Sequence, residues 1–83
     1  MRFEIERTIL KKNEQYAELG AGGGVERFIE AGETAGEAVR RFLSRDRSIL
    51  NGDLVTIGRE SVGTAENHEA LYLIRLQAVD DRA

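Results

Sequence analysis

Thr34-Ala35-Gly36-Glu37, followed at once by Ala38, Val39, Phe42 and Leu43, is a helix start joined to a one-sided apolar stripe. The Thr34 hydroxyl is placed to accept a hydrogen bond from the Glu37 backbone N–H. The Glu37 carboxylate is placed to accept one from the Thr34 N–H, the reciprocal arrangement of a capping box. Ala35, Ala38, Val39, Phe42 and Leu43 follow the i, i+3, i+4, i+7, i+8 spacing that gathers them on one helix face. Such a face must be laid on another apolar surface, and the flanking residues indicate a sheet.

From Arg2 to Lys11, Phe3, Ile5 and Ile9 alternate with Glu4, Glu6 and Thr8, the period-2 pattern of a half-buried strand. Val25 to Ala31 alternates again, with Val25, Arg27, Ile29 and Ala31 on one side and Glu26, Phe28 and Glu30 on the other. Between them lies a polar segment, Asn13 to Leu19, with room for a turn or two of helix. It is followed by Gly20-Ala21-Gly22-Gly23-Gly24, which has little side chain to pack and reads as a flexible loop. A loop of this kind makes the pair an antiparallel hairpin, because parallel strands need a covering crossover. After the helix, Leu54 to Ile57 and Leu71 to Val79 read as strands, the second carrying Tyr72, Ile74, Leu76 and Ala78 on one side. Gly58 to Ala70 reads as polar loop and residues 80–83 as a charged tail.

The helix end is open to two readings. Ile49 and Leu50 fall back on the apolar face, with Asn51-Gly52 available as a left-handed cap. Asp46 would also point inward, which argues for a stop near Arg45 and makes Asn51-Gly52 a two-residue hairpin turn. Either way the prediction is one α+β domain over residues 1–83, in the order β-β-α-β-β, with one amphipathic helix on a mainly antiparallel sheet.

With 83 residues, 41% hydrophobic and 33% charged, the chain has the composition of a single small folded domain. It has no cysteine, so no disulfide framework, thiolate nucleophile or cysteine-based metal site is available. The longest run of large apolar residues, Leu71-Tyr72-Leu73-Ile74, falls far short of the ~20 residues that cross a bilayer. Arg2 to Glu6 does not read as a signal peptide. The expectation is a cytoplasmic protein that does not engage membranes.

The net charge of −3 is unevenly distributed: Arg40, Arg41, Arg45 and Arg47 face a single acid, Asp46, while the chain on either side is acidic on balance. These four arginines lie off the apolar stripe, and their guanidinium forks suit phosphates or carboxylates. Two simpler roles compete. Arg41 can pair with Glu37 one turn earlier, and cations near a helix C-terminus oppose the macrodipole. No run of exposed aromatics accompanies them, as a single-strand binder would show.

Catalytic signatures are weak throughout. Gly20 to Gly24 precedes a strand and has Val25 where a dinucleotide loop requires its third glycine. His68, between Glu66 and Glu69, is the only histidine, and no nucleophile or metal-ligand spacing accompanies it. No enzyme, cofactor or metal is expected. Attention shifts to Leu71 and Leu73, which lie opposite the Tyr72 set, on a sheet face that one helix cannot cover. The predicted function is a docking, adaptor or inhibitor module that binds itself or another protein. Its contacts are Leu71, Leu73 and the helix arginines. Two alternatives are a nucleic-acid binder using the same arginines, and an acidic inhibitor of a nucleic-acid-processing complex that presents Glu26, Glu30, Glu33 and Glu37.

Overall fold

The computed structural model describes residues 1–12 and 24–79. The elements are β1 (Arg2–Lys12), β2 (Val25–Ala31), α1 (Ala35–Asp46), β3 (Ile49–Ile57), β4 (Glu60–Glu66) and β5 (Ala70–Ala78). All strands join one antiparallel sheet in the order β2-β1-β5-β4-β3, with α1 on one face. The α+β class and the antiparallel hairpin of the first two strands are as predicted. The segment 13–19, most of the glycine loop and the 80–83 tail fall outside the described residues.

The structure adds a fifth strand, β4, within the segment read as polar loop. Its inward residues are Ser61, Gly63 and Ala65, small side chains that leave no apolar period in the sequence. Small residues are required there because Leu50 and Leu54 of β3 fold over them. A Cβ on Gly63 would lie 3.0 Å from Leu54 Cδ2 and 3.4 Å from Leu50 Cδ1.

Neither role foreseen for Asn51-Gly52 is realised. The helix ends at Asp46, where Arg47 takes the left-handed conformation (φ 57°) and the Ser48 N–H donates to the Leu43 carbonyl, 3.0 Å away. Asn51 and Gly52 lie within β3, with Gly52 at φ +75° where the β3–β4 register shifts. The tight turn is instead Gly58-Arg59, with glycine at the first central position at φ +64°, as a type II′ hairpin requires.

At the other helix end Thr34 caps as foreseen, its hydroxyl accepting from Glu37 N–H at 3.1 Å. The reciprocal half of the box does not form, because the Glu37 carboxylate turns to Arg41 at 2.8 Å. Ala38, Val39, Phe42 and Leu43 are buried against Phe3, Ile5, Ile74 and Leu76. Gly32 sets the entry angle: a Cβ there would lie 2.9 Å from Ala38 N, and 3.2 Å from both Ala38 Cα and the Thr34 carbonyl oxygen. All three are backbone atoms, so the helix would have to move. Gly32→Ala is expected to cost about 1–3 kcal/mol in chemical denaturation, and an unchanged midpoint would show that this approach has slack.

Candidate functional site

Two faces of the sheet carry different chemistry. On the helix-covered face, the alternation of β1 places Arg7 between Ile5 and Ile9, pointing inward. Its side chain is 10% exposed, and its guanidinium lies over the rings of Tyr72 (4.4 Å), Phe28 (5.4 Å) and Phe42 (5.7 Å). Glu26 accepts from Nη2 at 2.8 Å, and Asp46 stands 2.7 Å from Nη1. The Asp46 contact is an ion pair out of line for a hydrogen bond, so Nη1 and Nε have no aligned acceptor among the described residues. Burial works against the Arg7 charge, but the Asp46 and Glu26 carboxylates outweigh it and hold the pKa above its ordinary value.

The network continues through Asp46, which accepts from Ser48 Oγ at 2.5 Å, and Ser48, which accepts from Asn67 Nδ2 at 3.2 Å. Asn67 Oδ1 in turn accepts from the Glu69 and Ala70 N–H groups and shapes the β4–β5 turn. Arg7 thus ties β1, β2, the end of α1 and, through Asp46, the β4–β5 turn. A cavity of about 270 Å³ opens beside it, with Lys12, Glu26 and Glu69 among its lining residues. Sequence reasoning passed over this cluster. Its signal was two intruders of opposite charge, Arg7 in the Phe3-Ile5-Ile9 set and Asp46 in the helix stripe.

The helix arginines are divided. Arg41 pairs with Glu37 and donates to the Ala31 carbonyl at 3.3 Å, and Arg45 pairs with Glu30. Arg40, Arg41 and Arg45 line one open depression of about 550 Å³ beside Glu30. Arg40 and Arg47 are exposed and form no ion pair among the described residues. Three of the four acids of the acidic set are likewise committed, Glu26 to Arg7, Glu30 to Arg45 and Glu37 to Arg41, while Glu33 is exposed and forms no ion pair among the described residues. Glu30 is in fact buried, since the Glu26, Phe28 and Glu30 side of β2 faces the helix. Among the described residues no three His, Cys, Asp or Glu side chains converge to hold a metal ion, and no helix is long and apolar enough to cross a membrane.

On the opposite face Leu71 and Leu73 lie where predicted, half-buried among their neighbours, and no described element covers them. Phe28, on the helix-covered face, packs on Phe42 with ring centroids 4.8 Å apart. An ionic ladder crosses the four strands β2, β1, β5 and β4. Arg27 meets Glu6 at 3.6 Å, Arg75 meets Glu6 at 3.8 Å, and Arg75 meets Glu60 at 2.8 Å. Beyond the ladder, β3 carries on this face Ile49, Val55 and Ile57, which are 72%, 60% and 67% exposed. Val62 lies directly opposite Val55. β3 is also an edge strand, a property no single segment of sequence reveals. No protein-family model, curated protein or solved structure matches the chain.

Proposed function

We propose that this chain is a non-enzymatic protein-docking module that binds through the open sheet face, with the arginine-bearing helix as a secondary polar surface. The observation that carries the reading is the row Ile49, Val55 and Ile57, exposed along an edge strand and continuous with the face that holds Leu71 and Leu73. Natural edge strands are usually blunted by charge, proline or cover. β3 has no proline, and its single charge is Asp53. Uncovered β-branched side chains beside unpaired backbone groups favour a protein partner that supplies both apolar contact and hydrogen bonds. The internal commitment of Arg41 and Arg45 weighs against a nucleic-acid role for the helix.

The test is site-specific photo-cross-linking in cells. A photoreactive residue at Val55 is expected to capture protein, one at Arg40 little, and Leu73→Glu to reduce the Val55 yield while cooperative unfolding persists. Equal capture from both positions, or capture of nucleic acid from Arg40, would overturn the reading.

A further inference from the structure

We infer that the occupant of the β3 edge is a second copy of this chain, paired antiparallel about a two-fold axis at Thr56; the inference rests on the docking reading above. The two outer strands are defended differently. β2 also exposes Val25 and Ile29 on the open face, but it sets Arg27 between them and carries Glu26 and Glu30 beside them, and all three charges are engaged in ion pairs. β3 presents Val55 and Ile57 to solvent and ends in the Gly58-Arg59 turn.

The hairpin geometry restricts the register. Ile57 and Glu60 flank the two-residue turn and so exchange both backbone hydrogen bonds, which directs the N–H and C=O of Thr56 outward. A two-fold within the regular run Val55–Ile57 can then set Thr56 opposite Thr56, or fall about Val55; about Ile57 it would set Val55 against Arg59. The second choice sets Asp53 against Ile57. The first sets Val55 against Ile57 and Asp53 against Arg59 of the other copy, twice by symmetry. Asp53 and Arg59 are exposed, and neither has an ion-pair partner among the described residues. Their charges fit each other across this axis and meet no opposite charge within one copy among the described residues. The sheet then runs through both copies, and Val55, Ile57 and Val62 of each form one apolar strip.

The experiment is size-exclusion chromatography with light scattering from micromolar to millimolar concentration, on the whole chain and three variants. The unaltered chain is expected to dimerise. Asp53→Arg and Arg59→Asp each place like charges opposite one another at both symmetry-related positions and are expected to weaken the dimer about tenfold. Mixing the D53R chain with the R59D chain restores both attractive pairs and is expected to return association to near its original strength, a rescue that misfolding cannot mimic. Thr56→Pro removes the outward N–H while sparing the β3–β4 ladder, and is expected to leave a folded monomer. A chain monomeric at millimolar concentration, or a dimer indifferent to D53R, R59D and their mixture, would overturn the inference. If Val55 still cross-links a different protein, only self-pairing has failed; if it cross-links nothing, the docking reading has failed with it.

Discussion

Phe42→Ala is expected to cost about 3–5 kcal/mol. Phe42 is 4% exposed and lies where helix and sheet meet. Its ring is 4.8 Å from that of Phe28 and 5.7 Å from the Arg7 guanidinium. Truncation removes the largest side chain that α1 contributes to the core, and the cavity would border an arginine already short of aligned acceptors. The neighbours cannot easily collapse into it, because Phe28 and Tyr72 are anchored in the sheet and hold Arg7 between them. Small domains have only about 5–15 kcal/mol of stability in total, so the loss is a large fraction of it. Urea titration should show a markedly lower midpoint at nearly constant slope, with a melting temperature lower by about 4–8 °C for each kcal/mol. Phe42→Leu, which keeps most of the volume, should cost under about 1.5 kcal/mol. A loss below about 1 kcal/mol for the alanine variant would mean the helix is not anchored there.

The anchoring role of Phe42 is legible in the amino-acid sequence alone, since it follows from the stripe beginning at Ala35. The same holds for β1, β2 and β5, whose alternation survives in their burial patterns, and for Leu71 and Leu73 on the open face. Other features are hidden for identifiable reasons. β4 leaves no apolar period because its inward positions are Ser61, Gly63 and Ala65, sized for the leucines of the next strand rather than for the core. The helix end is ambiguous because Leu50 satisfies the helical period as well as it satisfies β3. The actual stop is a left-handed arginine, Arg47, which no propensity favours. The exposed row on β3 can be written down from sequence, but its meaning depends on strand order: in an interior strand the same Val55 and Ile57 would be half-buried between neighbouring strands, as Leu71 and Leu73 are. Charges mislead for the same reason. Four arginines in eight residues suggest a surface patch until the fold brings Glu30 beside Arg45.

Asp46→Ala is expected to cost about 3 kcal/mol, near the lower end of the range for breaking a buried ion pair by removing one partner. Arg7 would keep Glu26 and the ring of Tyr72, but among the described residues Nη1 would lose its only close carboxylate, and Nε already lacks an acceptor. Ser48 would lose the acceptor that connects it to the network. Local helix energetics pull the other way, because an acid at a helix C-terminus is repelled by the negative end of the macrodipole and alanine is the better helix former. A net loss would therefore show that the ion pair outweighs both. The decisive comparison is the double variant Arg7→Met with Asp46→Ala. Methionine refills the space among Phe28, Phe42 and Tyr72 without a charge to strand, leaving only Glu26, whose side chain is 47% exposed and can return to water. The double variant should be more stable than Asp46→Ala alone, a non-additivity that unfolding titrations of the two single variants and the double would resolve. Additive losses would mean that Arg7 contributes chiefly through its contacts with the rings. Rescue would mean that the charges at the end of α1 are a liability the fold satisfies. The pair then contributes position more than stability, holding the helix C-terminus over β1 and β2.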